Sequence, residues 1–472
     1  MTEMNENPLV LLPELLLAAS AVLGLLLGAW LPRRRQWLVG LLAAVAACAG
    51  LVAAAVAATR PDTTAFGDAF TVDPVTSTSR VVVLGGLLLV LALTAGPFHA
   101  HPRESELSVL LQLSALGTLV LAGAQDLLLL AAAYLLASIP AYALAGFRKD
   151  GPGTEAALKY YVTGALLGVL MLAGITLLYA AGRATGYPLL GPALPGAPDA
   201  LVTAGAVGLL AGVLFKAGAV PAHFWVPDAV QGSSAPVAAF LTTLPKTGAL
   251  AAALRLGEAV LADSGMPWAA LLSVVAAASM TLGNLAAFFQ DDVKRLLAYS
   301  AIGQVGYLLL PVTVAGRSDL AQEALLYYLA GYAVTNLGAF AVVCALPRAT
   351  RVGDYRGLAR RRPLLAASLV ICLLGLVGTP PTAVFVGKLE AFSAAIDGGF
   401  GWLAVLAAVN TVASLFYYLR WIVPAVSRGG GDRLTDGARP ARAVAHTAAA
   451  VSLGLGLAAG PVLPALSGSL SA

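Results

Sequence analysis

The sequence predicts an all-α polytopic membrane protein, and three observations carry that prediction. Of its 472 residues, 59% are hydrophobic and only 11% charged, where soluble chains average about 25% charged. Fourteen apolar segments divide the chain, and each can cross a hydrocarbon layer about 30 Å thick as a helix. Lysine and arginine gather in alternate loops, as they do in membrane proteins of fixed orientation. Lipid cannot satisfy stray backbone polar groups, so the spans must be helices.

The segments run at 8–31, 36–58, 81–98, 105–123, 127–147, 158–181, 200–225, 235–256, 267–289, 296–314, 321–346, 364–396, 400–425 and 441–466. The start, MTEMNENP, is acidic and has no basic leader, so the chain reads as mature from Met1. The first span carries Glu14 after Pro13, a carboxyl suited to a neighbouring subunit or a lipid headgroup. The stretch 186–200, rich in Pro and Gly, reads as an outer loop, and 427–442 as a flexible inner linker before the last helix. The three cysteines, Cys48, Cys344 and Cys372, lie far apart in apolar runs without metal-ligand spacing, and read as small hydrophobes.

Basic residues set the direction. With both termini outside the cytoplasm, eighteen of the 28 lysines and arginines fall in inner loops, among them Arg33, Arg148, Lys294, Arg360 and Arg433. Five fall in outer loops: Arg60, Arg80, Arg183, Arg255 and Arg317. The remaining five lie in or beside spans: Lys159, Lys216, Lys246, Lys388 and Arg420. That bias sets the orientation of a multi-pass protein, and a bacterial plasma membrane is its expected location. No Lys/Arg tract suggests nucleic acid.

Ionisable residues inside spans are the functional signal, because each costs roughly 2.5–3.5 kcal/mol at the bilayer centre on insertion scales. Lys216 and Lys246 lie mid-run, and Lys388 lies in a long segment broken by GTPPT (378–382). Pro221, Pro227, Pro380 and Pro381 interrupt the same two segments. Broken helices leave backbone groups free, and transporters place ion sites there. A buried lysine exists readily in neutral or charged form, so the three lysines, joined by water and His223, form a candidate proton relay. Lys159 reads as a snorkelling interfacial lysine, and Asp228 as a solvated group at the inner rim. Lys388 and Glu390, two residues apart, point to different helix faces and do not pair directly. Tyr299, Ser300, Gln304 and Tyr307 give the tenth span a polar stripe, fit to hydrate a path or to hold helices together.

The stretch FKAGAVPAHFWVPDAVQGSSAPVAAFLTTLPKTGAL (215–250) resembles the proton-translocation segment of the antiporter-like membrane subunits of respiratory complex I, NADH-quinone oxidoreductase. DDVKRLLAYSAIGQVGYLLL (291–310), YYLAGYAVTNLGAFAVV (327–343), DYRGLARRRPLLA (354–366), GTPPTAVFVGK (378–388) and NTVASLFYYLRW (410–421) extend the resemblance over nearly the whole chain. Lysine at 388 fits the N-type subunits better than the M-type, which carry glutamate there. The end soon after the last span does not fit the L-type, with its long lateral helix.

The resemblance implies one membrane domain, 1–472. It would comprise N-terminal helices (1–104), two inverted five-helix repeats (105–256 and 257–425) with breaks in spans seven and twelve, and a linker with the last helix (426–472). It implies that Lys216 is the broken-helix lysine, Lys246 the connecting lysine and Lys388 the terminal lysine of the second half-channel. One departure stands out: Leu135 occupies the position where the family places a glutamate in span five. The implied function is proton pumping coupled to electron transfer from NADH to quinone in other subunits. Flavin, iron–sulfur clusters and quinone are expected in those partners and no cofactor in this chain. The expected partners are neighbouring antiporter-like and quinone-site subunits. A monovalent cation/proton antiporter subunit, or a non-pumping scaffold motivated by Leu135, are the competing readings.

Overall fold

The computed structural model describes residues 8–429, 434 and 437–467. The reading of the extreme N-terminus and of Arg433 lies outside the described residues. The chain is helical through most of each apolar segment. The helices are α1 (Leu12–Trp30), α2 (Trp37–Ala57), α3 (Pro74–Thr94), α4 (Glu104–Gly123), α5 (Leu127–Ala145), α6 (Gly151–Gly182) and α7 (Tyr187–Ala193). They continue with α8 (Asp199–Ala217), α9 (Trp225–Gly232), α10 (Ala235–Leu256), α11 (Trp268–Ala287), α12 (Val293–Thr313) and α13 (Ala321–Ala345). The last are α14 (Leu358–Arg361), α15 (Pro363–Val377), α16 (Ala383–Asp397), α17 (Gly401–Val426), α18 (Arg439–Leu457) and α19 (Ala459–Val462).

Among the described residues, twelve helices are each long and apolar enough to cross a membrane, and α18 with the segment it bends into by 77° makes a thirteenth. Helices α15 and α16 have 15 residues each and reach across a bilayer only if joined end to end.

Several boundaries differ from the sequence reading because polar caps extend helices beyond the apolar run. Asp73 caps α3 by accepting the Thr76 N–H at 2.9 Å, which starts the helix at Pro74. Asp150 caps α6 through the Gly153 N–H at 2.9 Å, so that helix begins at Gly151. The loop expected at 186–200 contains α7. A small hairpin was not foreseen: β1 (Thr63–Ala65) pairs antiparallel with β2 (Phe70–Val72), Thr64 opposite Thr71.

The core lies around α10 and α13. Every residue from Pro236 to Leu256 is buried, with α3, α4, α8, α12 and α13 packed around it. Small residues let backbones touch: a Cβ on Gly117 would stand 2.2 Å from the Ala137 nitrogen of α5, and one on Gly174 2.3 Å from the Leu209 nitrogen of α8.

Two arginines assigned to outer loops, Arg80 and Arg255, are instead fully buried, at 0% and 1% exposure. Arg80 grips Glu14 through Nε at 2.7 Å and Nη2 at 2.8 Å, so Glu14 faces neither a lipid headgroup nor a neighbouring subunit. Arg255 forks onto both Asp73 oxygens at 2.7 and 2.6 Å, and its Nε donates to Ala122 O at 2.7 Å. These paired charges tie α1 to α3 and α3 to α10 at the face opposite the basic loops.

Candidate functional site

Two spans break in the same way. Helix α8 ends at Ala217 and α15 at Val377, each followed by a glycine with left-handed backbone, Gly218 (φ +78°) and Gly378 (φ +89°). Glycine alone takes that conformation without strain. Each break continues into a cis X–Pro bond, Val220–Pro221 and Pro380–Pro381. The last carbonyls of a helix have no intrahelical donor and carry the negative end of the helix dipole. Each break therefore presents an acceptor for a cation inside the apolar layer.

An amine occupies each of those positions. Lys246 Nζ donates to Ala217 O at 2.5 Å, and Lys388 Nζ donates to Val377 O at 2.9 Å. Lys246 lies about 17 Å along α10 from its start, near mid-membrane. Lys388 also reaches Thr411 Oγ1 at 3.3 Å and stands 3.9 Å above the Tyr307 ring, a favourable cation–π placement. As the sequence implied, it does not pair with Glu390.

Lys216 lies in the last turn of the broken helix α8, as the sequence places it, but its amine does not fill the break. Its side chain leaves the last turn of α8 sideways and meets α5, donating to Ala137 O at 2.8 Å and Ser138 Oγ at 3.1 Å. The break of α8 is filled by Lys246, an amine that arrives from α10. All three lysines are buried, at 1%, 0% and 3% exposure, and each amine donates to neutral oxygens, carbonyl or hydroxyl. None of them snorkels to an interface.

His223 lies on the turn between α8 and α9, 5% exposed, its ring 4.5 Å from that of Phe224. Its Nδ1 is buried with no hydrogen-bond partner. Among the described residues no hydrogen bond joins it to the lysines, so the structure does not gather it with them. Leu135 is 44% exposed on α5 and belongs to the outward face with Leu128 and Ile139, at 62% and 60%.

Other polar groups form contacts the sequence left open. Asp228 accepts from Lys159 Nζ at 2.8 Å and from Arg295 Nη1 at 2.7 Å, and both Asp228 and Lys159 keep part of their side chains exposed. The stripe of span ten is engaged with its neighbours. Gln304 Nε2 donates to Leu376 O at 2.7 Å, the Tyr328 hydroxyl donates to Gln304 Oε1 at 2.6 Å, and Ser300 meets the Tyr418 hydroxyl.

Sequence reasoning missed the polar face of α13. Asn336 Nδ2 donates to Thr242 Oγ1 at 3.0 Å and Thr243 Oγ1 at 2.7 Å, one turn from Lys246 on α10. The Tyr332 hydroxyl donates to Thr242 O at 2.8 Å. Tyr328, one turn from Tyr332, contacts Gln304, whose amide sits on the carbonyl beside the one that holds Lys388. Neutral side chains thus run from the surroundings of Lys246 to those of Lys388. Their spacing on α13 was visible, but neutral groups carry no large transfer cost to single them out. Among the described residues no group of three or more His, Cys, Asp or Glu is placed to hold a metal ion.

Comparison with known proteins agrees with this architecture. Residues 124–414 match the transmembrane family described as NADH:quinone oxidoreductase/Mrp antiporter. The chain is 54% identical to NADH-quinone oxidoreductase subunit N 1 of Streptomyces griseus, over 98% of this chain and 99% of that protein. It is 53% identical to NADH-quinone oxidoreductase subunit N of Mycobacterium sp. strain JLS, over 97% of each. A chain of respiratory complex I from Thermus thermophilus superposes with TM-score 0.83 at 34% identity, covering 96% of this chain and 99% of that one. A chain of the Mrp complex from Dietzia, at 21% identity and TM-score 0.84 over 97% and 95% of the two chains, shares the fold. The chain therefore belongs to the NADH:quinone oxidoreductase/Mrp antiporter membrane family, within its subunit N group.

Proposed function

We propose that this chain is a proton-translocating membrane subunit of an NADH-quinone oxidoreductase, coupling electron transfer from NADH to quinone in partner subunits to proton movement through its own interior. The observation that carries the reading is the placement of Lys246 and Lys388, two buried amines each seated on the carbonyl end of a broken helix. Such a seat stabilises the ammonium form, while burial favours the neutral amine. Small changes in field then move a proton on or off.

Each half carries one broken helix with an amine on its carbonyl end, which supports reading 105–256 and 257–425 as inverted repeats within fourteen spans, α15 and α16 forming one of them. The face bearing Arg148, Lys294 and Arg360 is then cytoplasmic, and both termini lie outside, in a bacterial plasma membrane. The Asn336–Tyr332–Tyr328–Gln304 side chains form the connection between Lys246 and Lys388, with water bridging the gaps, and Lys216 is the loading site of the first half. His223, buried on the turn at the first break, joins the relay to the lysines through water. Neighbouring antiporter-like and quinone-site subunits are its partners, and the flavin, iron–sulfur clusters and quinone reside with them. A non-pumping scaffold, motivated by Leu135, remains the competing reading, since the Lys216 amine meets only Ala137 O and Ser138 Oγ. A monovalent cation/proton antiporter subunit fits the subunit N likeness less well.

The test is proton uptake by membrane vesicles containing the assembled complex during quinone reduction. Lys216→Ala and Lys246→Ala should each lower it, with the chain still co-purifying with its partners. Unchanged uptake in both variants would leave a scaffold.

A further inference from the structure

Helix α2 stops at Ala57, and the chain leaves it through Arg60 and Asp62 at the face opposite the basic loops. Two grooves flank that exit. One, of about 330 Å³, is walled by Val81 of α3, Ala330 of α13, Leu455 of α18 and Val462 of α19. The other, of about 600 Å³, is walled by Leu12 and Leu16 of α1 and by Val52 and Val56 of α2. Ala57, Arg60 and Val72 line both. Each groove has the size of a ligand cleft, and the exposed side chains of Val52, Val56 and Val81 leave them open to the membrane. Polar groups gather at the outer end. Arg60, Asp62, Ser77 and Thr78 all line the smaller groove, whereas Val81 lies about 10 Å deeper along α3 than its first residue, Pro74. Arg60 and Asp62 are exposed, and among the described residues neither side chain makes a hydrogen bond or an ion pair.

We propose that the two grooves hold one membrane phospholipid with a primary-ammonium headgroup, its two acyl chains astride the end of α2. Each part of the site answers one part of such a molecule. A forked apolar site with a single polar junction suits two chains joined at one headgroup. A helix of a partner subunit, about 10–12 Å across, cannot divide between the two grooves. The Arg60 guanidinium matches a phosphate with its planar fork of donors. Asp62, two residues further on, matches the ammonium, and the Ser77 and Thr78 hydroxyls are donors for ester oxygens. An anionic headgroup would satisfy Arg60 but leave the Asp62 carboxylate facing a like charge. The bound lipid ties the α1–α2 pair to α3, α13 and the C-terminal helices.

The test uses the purified assembled complex in phosphatidylcholine nanodiscs carrying a trace of phosphatidylethanolamine with a photoreactive group on each acyl chain. Labelled peptides are read by mass spectrometry, and only label that unlabelled phosphatidylethanolamine competes away is counted. Such label should fall on peptides of α1 and α2 and also on peptides of α3 and α13. Phosphatidylglycerol should compete at least about tenfold more weakly. Arg60→Ala should lower the label in both grooves about tenfold, the loss expected of one charge-assisted hydrogen bond. Asp62→Asn should keep the label but abolish the preference over phosphatidylglycerol. Label in one groove alone overturns the forked seat, and label in neither overturns the lipid assignment and leaves the grooves to protein. Undiminished label in Arg60→Ala, or equal competition by phosphatidylglycerol in the unsubstituted complex, overturns the headgroup assignment. If Arg60→Ala fails to assemble, the Asp62→Asn competition decides.

Discussion

Replacing Gly218 by alanine tests the seating of Lys246 without touching a charge. Two effects add. Gly218 has φ +78°, and an L-residue in the left-handed region costs roughly 1–2 kcal/mol. The new Cβ would also stand 2.9 Å from Lys246 Nζ and 2.9 Å from Val226 Cγ2, closer than carbon and nitrogen or carbon and carbon tolerate. The amine must retreat from a hydrogen bond of 2.5 Å to Ala217 O. A hydrogen bond to a charged group is worth about 1.5–3 kcal/mol, and each 1.36 kcal/mol in a barrier is about tenfold in rate. Gly218→Ala should therefore slow proton uptake by about ten- to a hundredfold in assembled complex, while lowering the thermal stability of the chain only modestly. Gly378→Ala makes the comparison: its Cβ would meet Lys388 Cδ at 2.9 Å, a flexible stem rather than the amine, so the loss should be smaller. Wild-type uptake in Gly218→Ala, with the complex intact, would refute the claim that the carbonyl end of α8 holds the working amine.

Lys388→Met keeps most of the apolar stem but removes the charge; proton uptake should fall while the chain still co-purifies with its partners. Arg255→Ala leaves Asp73 buried and unpaired, so thermal unfolding in detergent should show a loss of about 3–5 kcal/mol with no specific effect on the lysine relay. The same pair predicts a pH dependence. Burial pushes the Asp73 carboxyl up, but the Arg255 charge and hydrogen bonds, with those from Thr76, outweigh it and hold it below 3.8. A lowered carboxyl stabilises the fold above its unfolded pKa and loses that contribution as pH falls through the folded value. Melts of the unsubstituted chain should thus keep the contribution of this pair down to about pH 4 and lose it below, whereas Asp73→Asn should remove that acid-sensitive step.

The sequence disclosed the elements whose physical cost is local. A lysine in an apolar run, or a proline after a glycine, is conspicuous because lipid penalises it wherever the rest of the chain goes. Lys216, Lys246, Lys388 and both broken spans were legible for that reason. What was not legible is which amine meets which carbonyl. Lys246 fills the break of α8 from 29 residues away, and Lys216, adjacent to that break in sequence, turns to α5 instead. The same distance in sequence hid the ion pairs: Arg80 meets Glu14 across 66 residues and Arg255 meets Asp73 across 182, so each arginine read as a loop cation. The hydroxyls of Ser138 and of Asn336's threonine partners were in plain view, but a neutral hydroxyl bonds back to its own helix at little cost and gives no signal until its neighbours are known.

The most direct test of the account is the number of protons taken up per quinone reduced in vesicles carrying Lys246→Met. Lys246 stands between the two halves, one turn from the threonines that Asn336 contacts and at the end of α8. If protons cross by way of these amines, the ratio should fall and the rate of coupled turnover with it. A ratio equal to that of the unsubstituted complex, at full turnover, would contradict the central claim that a buried lysine seated on a broken helix carries the proton.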